Sequence, residues 1–377
     1  MSFSQFVKKW FFDIDRYTLF FAIGLIILGI FMSFSVGPVV AKRIHLSSYY
    51  FTTRHLLFSF VGIVIMIFLS MLTKKNIINL CFVGLLVCLF MLFLCHFTGA
   101  NIKGARRWIN IGFFALQPSE IMKPFFVVAN AYLLSARNRN KFISSFSFYL
   151  IAVILTLLVI QPDFGMTITY LSVWFVQIFL GSVNIFVLFG FAIIGVIAIT
   201  ILGMFFFQHF YNRIFNFIHM RGGHEQYQTK KAIESIYNGN FFGTGLCEGD
   251  VKYQLPDAHT DYIFSSICEE FGLIFACLMI CCYMCFAYRH LASNYRNTKF
   301  NIRVIYGLVL IFLIQTCFHI GININFFPSK GMTLPLVSYG GSSMLSSCII
   351  FGFLLAFTRK TYLFKSPYKE FKYDSIT

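Results

Sequence analysis

The chain has 377 residues, of which 58% are hydrophobic and only 12% charged, with a formal net charge of +16 and a mean hydropathy of +0.76. That composition excludes a water-soluble fold, which would lack the polar surface to cover itself, and makes lipid the solvent. The positive charge follows from membrane topology and is no nucleic-acid signal.

A helix crosses a hydrocarbon core roughly 30 Å thick with about 17 to 25 apolar residues. Ten such runs are predicted, at 18–36, 55–72, 77–97, 118–135, 147–162, 164–181, 183–207, 262–288, 302–325 and 336–357. Pro162 and Asp163 separate the fifth from the sixth. The first run follows Lys8, Lys9 and Arg16, is long, and lacks a small-residue cleavage site, so it reads as an anchor. The expected fold class is an all-α integral membrane protein with one polytopic domain over 1–377, a transmembrane bundle over 18–357 and cytoplasmic tails at 1–17 and 358–377.

Lys and Arg collect in cytoplasmic loops near span ends. With the N-terminus inside, ten crossings put Lys74 and Lys75, Arg137, Arg139 and Lys141, Arg289, Arg296, Lys299 and Arg303, and Arg359, Lys360 and Lys365 all on the cytoplasmic side. The outward segments 37–54, 99–117 and 208–261 are long and polar, and long loops often carry function. Within the largest, Thr229 to Tyr237 reads as an amphipathic helix ahead of Gly239, Gly243, Gly245 and Gly249. No internal repeat of the transporter kind is visible. All the cysteines except Cys247 lie in apolar runs, as small hydrophobes do, and Cys282 and Cys285 have no flanking ligands to complete a metal set.

Carboxylates in or beside spans are costly and mark functional or paired sites. Ten of the 14 acids fall in outward loops or spans: Glu120, Asp163, Glu225, Glu234, Glu248, Asp250, Asp257, Asp261, Glu269 and Glu270. Asp261 ends Leu255-Pro-Asp-Ala-His-Thr-Asp261, where polar loop meets apolar helix, a position suited to a base. Thr260 and Asp261 equally suit a helix N-cap. Glu120 and Lys123, three apart, share a helical face and can form a neutral pair, while Lys103, Arg106 and Arg107 just before them allow a cation-lined pocket. Arg106, Arg107 and Trp108 fit a phosphate at headgroup level, on a substrate or on a lipid. Asp163 in Gln161-Pro-Asp-Phe-Gly165 is placed to cap the next helix, and Lys330 lies in a glycine-containing polar stretch that leads into the last span. Among the histidines only His259 sits beside a candidate base.

Five ordered motifs span nearly the whole chain: Gly104-Ala-Arg-Arg-Trp108; Gln117-Pro-Ser-Glu120 with Lys123; Gln161-Pro-Asp-Phe-Gly165; Leu255 to Asp261 followed by Glu269-Glu270-Phe-Gly272; and Lys330-Gly-Met-Thr-Leu-Pro335 running into Ser338-Tyr-Gly-Gly-Ser-Ser343. Together they resemble the SEDS family of membrane glycosyltransferases, which make peptidoglycan strands. Pro328-Ser-Lys330-Gly-Met-Thr333 favours the cell-division branch over the elongation branch. Met166 and the stretch Gly321 to Phe327 depart from the family pattern.

The resemblance implies an inverting transfer of glycan from a lipid-linked donor onto the 4-hydroxyl of lipid II, releasing polyprenyl diphosphate, with the family's essential Asp at Asp261. A sugar hydroxyl is a poor nucleophile at neutral pH and needs such a base. The diphosphate leaves with its own charge, so Arg106, Arg107, Lys123 and Lys330 are the expected electrostatic partners. Glu120, Asp163, His259 and Thr260 complete the candidate substrate contacts. No closed metal set is visible, and a divalent cation, Mg or Mn, remains a cofactor the reaction would accept. The resemblance further implies a class B penicillin-binding transpeptidase and other division-complex membrane proteins as partners, at the septum of a bacterial inner membrane. A flippase for the lipid-linked precursor and a non-catalytic division scaffold are the rival functions.

Overall fold

The structure, a computed structural model, describes residues 3–102, 105–112, 114–136, 141–180, 211, 215, 224–292, 298–328 and 331–359. The elements in chain order are α1 (Phe3–Asp13), α2 (Arg16–Arg43), α3 (Tyr50–Met71), α4 (Lys74–Thr98), β1 (Ala100–Ile102), β2 (Ala105–Ile111), β3 (Phe114–Leu116), α5 (Pro118–Ser135), α6 (Lys141–Ile160), α7 (Phe164–Phe179), α8 (His224–Asn238), a 3-10 turn (Val251–Tyr253), α9 (Ile263–Ala292), α10 (Lys299–Asn323) and α11 (Gly341–Thr358). Nine of the ten predicted spans thus have a helix in place, and the tenth, 183–207, lies outside the described residues.

Among the described residues seven helices are long and apolar enough to cross a membrane, namely α2, α3, α4, α6, α9, α10 and α11. The 18-residue α5 is less apolar because it carries Glu120, Lys123 and Asn130, and it buries all three. It packs against α4, α6, α7, α10 and α11 and is the interior helix of the bundle. A central position lets polar side chains find partners that lipid cannot supply. Phe21, Tyr283, Phe286, Phe312 and Phe351 interlock α2, α9, α10 and α11 elsewhere in the core, with Phe21 stacked on Phe286 at 4.5 Å.

Three local features differ from the sequence expectation. Helix α2 continues to Arg43, so the loop expected over 37–54 shrinks to 44–49. At the end of this extension the Arg43 guanidinium reaches the carbonyls of Tyr253 (2.5 Å) and Leu255 (3.2 Å) in the largest loop. The 99–117 segment, expected as a long polar outward loop of an all-α fold, forms a three-stranded antiparallel sheet in the order β1-β2-β3, with Asn101 opposite Arg106 and Asn110 opposite Ala115. Finally, the last span starts at Gly341 rather than 336; Leu336 has φ +64°, and the Ser338 hydroxyl takes the Leu334 N–H at 2.8 Å.

Helix α9 is broken at Gly272 (φ 82°, ψ 171°), a conformation glycine adopts and other residues resist. The glycine-rich loop after α8 docks into the break. The N–H groups of Leu273 and Ile274 donate to the carbonyls of Asn240 and Phe241, while those of Thr244 and Gly245 donate to the carbonyls of Glu269 and Glu270. A Cβ on Gly272 would meet the loop backbone at Phe241, Phe242 and Gly243. Beside this junction Lys252 pairs with Glu270 at 2.7 Å, both fully enclosed, and Ser35 of α2 contacts each. Glu269 accepts from Ser235 (2.8 Å) and the Val251 N–H (2.9 Å). The big loop is therefore held down by buried polar contacts, at the bundle end that also carries the sheet and the 331–340 segment.

Candidate active site

Asp261 lies in a series of turns between the 3-10 turn and α9. Asp257, at φ +54°, reverses the chain so that its carbonyl accepts the N–H groups of Thr260 and Asp261, each at 3.0 Å. Beyond Ala258, three consecutive carbonyls are then taken in succession. His259 O accepts from the Tyr339 N–H (2.9 Å), Thr260 O from the Ser338 hydroxyl (2.7 Å), and Asp261 O from the Asn323 carboxamide (3.0 Å). Gly331 faces the Asp261 carboxylate, where a Cβ on the glycine would stand 3.3 Å from Oδ2. The cap alternative is answered in part: the Ser265 N–H in the first turn of α9 is taken by Asn323 Oδ1 at 3.0 Å, and the Thr260 hydroxyl turns back to Asp257 O at 3.2 Å.

One face of α10 organises this end. Gln315, His319 and Asn323 recur every four residues and so point the same way. Gln315 donates to Thr333 O at 3.1 Å, His319 Nδ1 lies 2.7 Å from Met332 O, and Asn323 holds Asp261. Consecutive residues 331, 332 and 333 thereby meet Asp261, His319 and Gln315 in turn.

His259 sits behind the base in a narrow cleft formed with Gly29, Ser33, Gly37, Phe51, Ile263, Val337 and Tyr339. Its ring lies 4.4 Å from Phe51 and 5.3 Å from Tyr339, and its Nδ1 is buried with no hydrogen-bond partner among the described residues. Burial pushes its pKa down to about 4, with Asp257 pulling upward and Arg43 pushing down. The imidazole is therefore neutral at neutral pH and supplies no charge to a diphosphate. Tyr339, whose phenol pKa is raised by burial, is hydrogen-bonded by Arg54.

Of the remaining candidates, the Glu120–Lys123 pair connects to the 331–333 segment through Gln315 and Thr333, while Arg107 and Asp163 meet at the break between α6 and α7. Lys123 Nζ lies 2.5 Å from Glu120 Oε2 and 2.7 Å from Gln315 Oε1, with 1% of the residue exposed. The predicted three-residue pairing is thus present, deep in the bundle. Arg107 reaches back to the break between α6 and α7: Nε donates to Gln161 O (3.1 Å), the second guanidinium nitrogen to Pro162 O, and the third lies 3.9 Å from Asp163 Oδ1. Asp163 occupies the N-cap position of α7 without a side-chain cap bond; its carboxylate accepts from Gln117 at 3.2 Å instead. Arg106 is exposed and donates to His96 O at 3.3 Å. Lys330 lies outside the described residues, as do Lys103, Arg137, Arg139, Arg296, Lys360 and Lys365.

Sequence reasoning did not single out Gln315, His319, Asn323 or the Lys252–Glu270 pair. The first three carried a usable signal, since polar residues four apart in an apolar span mark an inward stripe. Among the described residues no group of three or more His, Cys, Asp or Glu side chains gathers into a metal cage.

Residues 16–363 match the family of cell cycle proteins that includes FtsW, RodA and SpoVE. The chain is 34% identical to the probable peptidoglycan glycosyltransferase FtsW of Caulobacter vibrioides, over 93% of this chain and 90% of that one. It is 32% identical to the protein of the same name from Trichlorobacter lovleyi, over 91% and 92%. Its fold is shared by a chain of a solved peptidoglycan synthase complex (TM-score 0.75, 21% identical, 92% of this chain and 97% of that one) and by RodA of Thermus thermophilus (TM-score 0.67, 21% identical, 92% and 96%). An inward polar stripe, a held aspartate at one bundle end and a match over nearly the full length agree: the chain is a multi-pass membrane protein that belongs to the FtsW/RodA/SpoVE family of cell cycle proteins.

Proposed function

We propose that this protein polymerises peptidoglycan glycan strands during cell division, with Asp261 as the general base. The acceptor is the 4-hydroxyl of lipid II and the donor a glycan linked to polyprenyl diphosphate. As the acceptor oxygen bonds to the anomeric carbon from the face opposite the leaving group, its proton passes to the Asp261 carboxylate. The bond from the anomeric carbon to the phosphate oxygen breaks, its electron pair departs on the diphosphate, and the anomeric configuration inverts. A single carboxylate suffices because the leaving group needs charge stabilisation and no proton, unlike a glycosidase with its acid and base pair.

Asp261 carries this reading: its peptide N–H and carbonyl are both held, and its carboxylate faces Gly331, which puts no side chain against it. Arg106 is the exposed cation suited to the diphosphate, with Lys330 the second candidate from the family motif. Arg107 and Lys123 act one step back, Arg107 by holding Gln161 to Asp163 and Lys123 by tying Glu120 to Gln315 and so to Thr333. Glu120, Asp163, His259 and Thr260 shape the walls. A divalent cation, Mg or Mn, is a further proposed aid to diphosphate departure, and no step here is routed through it.

The expected setting is the bacterial inner membrane at the septum, with this end of the bundle outward. Arg289, Arg303, Arg359, Lys74 and Lys75 lie at the other ends of α9, α10, α11 and α4, which supports reading that side as cytoplasmic. The relatives' activity and the synthase complex among the fold's neighbours support a class B penicillin-binding transpeptidase as partner, alongside other division proteins and membrane lipid.

The test is reconstitution of the full chain with its transpeptidase in liposomes, supplied with lipid II on the accessible face. Strand synthesis that is lost in Asp261→Asn supports the proposal. Translocation of lipid II without strand synthesis would replace it with the flippase.

A further inference from the structure

We infer that Asn323 is the positioning residue of the base: its carboxamide fixes the peptide on which the Asp261 carboxylate is carried. The inference rests on the reading of Asp261 as the general base and adds a residue that none of the sequence motifs includes.

Asn323 is the last residue of α10 and is fully buried. Its Nδ2 donates to Asp261 O at 3.0 Å and to His319 O at 2.8 Å, while its Oδ1 accepts from the Ser265 N–H at 3.0 Å and the Ser265 hydroxyl at 2.7 Å. Both donors and both acceptor sites of the carboxamide are used, so it has one orientation; turning it over would set oxygen against two carbonyls and NH2 against an N–H. One bond goes back to its own helix and anchors it. The others grip the chain on both sides of Tyr262, tying the base's peptide to the first turn of α9.

Held at its N–H by Asp257 and at its carbonyl by Asn323, the Asp261 peptide is fixed on both sides of the carboxylate it carries. A base acting on a hydroxyl must be placed to within a fraction of an ångström, and a misplacement of about 1 Å can cost on the order of 100-fold in rate. Tyr339 and Ser338 hold the two preceding carbonyls, so without Asn323 the segment stays folded while the carbonyl at the base itself is released. A residue serving only to cap α9 would satisfy Ser265 and have no reason to reach Asp261.

The experiment compares full-chain Asn323→Ala, Asn323→Asp and Ser265→Ala in the reconstituted strand-synthesis assay, with melting temperature measured on each. Asn323→Asp keeps the shape and the Ser265 acceptor while placing a carboxylate oxygen against the two carbonyls. Both Asn323 variants are expected to lose about 30- to 100-fold in kcat with KM within about twofold, and Ser265→Ala, which retains its N–H, less than about threefold. In an Asp261→Glu background, where the carboxylate already sits on a longer arm, Asn323→Ala should cost less than in the parent. Activity of both Asn323 variants within about threefold of the parent overturns the inference, as does a loss carried by KM or by melting, or one of equal size in the Asp261→Glu background. Full activity of Asp261→Asn is a separate outcome, which removes the base assignment itself.

Discussion

Gly331 presents bare backbone to Asp261, and a methyl group there would stand 3.3 Å from one carboxylate oxygen and 3.7 Å from the other. In the proposed reaction the acceptor hydroxyl approaches that carboxylate, so bulk on this side would compete with it. Gly331→Val is expected to lower strand synthesis by about tenfold or more and Gly331→Ala by a few-fold. The check is strand length and rate from lipid II, with melting temperature to show that the bundle is intact.

Arg106 and Arg107 are neighbours in sequence and should fail differently. Arg107 gives its donors to the carbonyls of Gln161 and Pro162 and faces Asp163, so Arg107→Ala strands buried acceptors and should cost about 1 to 3 kcal/mol of stability. Arg106 is exposed, so Arg106→Ala should leave melting unchanged and raise KM for the lipid-linked donor several-fold, an effect that shrinks with added salt.

Lys252 and Glu270 face each other at 2.7 Å with no access to solvent. Removing one partner leaves a buried charge, so Lys252→Met should destabilise the fold by about 3 to 5 kcal/mol, while Lys252→Met with Glu270→Leu should regain much of that. Thermal unfolding of the parent and the two variants in detergent measures it. A double variant no more stable than the single one would show that the pair is not an isolated couple.

His259 gives acid sensitivity of a defined sign. Its folded pKa is about 4 because it is buried, below the ordinary value of 6.5. Between these values the unfolded chain binds the proton and the folded chain does not. Stability contributed by the neutral ring is therefore full above pH 6.5, falls as pH drops toward 4, and levels off below that. Asp257 and Arg43 act on the ring in opposite directions, and the aromatic faces of Phe51 and Tyr339 enclose it. The melting temperature of His259→Gln should depend less on pH over that interval than that of the parent.

Much of this architecture was legible in the sequence because lipid imposes a simple rule. Apolar runs of sufficient length must be helices, and α2, α3, α4, α9 and α10 appear where the runs do. The Glu120–Lys123 pair was readable because helical spacing alone puts the two side chains together. Asp163 shows where local signals stop: its N-cap position was predicted, yet its carboxylate turns to Gln117, the residue that precedes α5, and faces Arg107 of β2. The small sheet at 100–116 was missed because strands of three to seven residues carry too little periodicity to stand out beside long spans.

The amino-acid sequence by itself determined the membrane class and most of the helical spans and pointed to Asp261 as a candidate base, since hydropathy and motif order are properties of residues near one another in the chain. Only the tertiary structure decided what holds Asp261. Tyr339, Ser338 and Asn323 reach three consecutive carbonyls from 62 to 80 residues away. Backbone carbonyls are chemically alike at every position, so no pattern of side chains announces which of them a distant donor will take. That choice follows from how α9, α10 and the 331–340 segment pack.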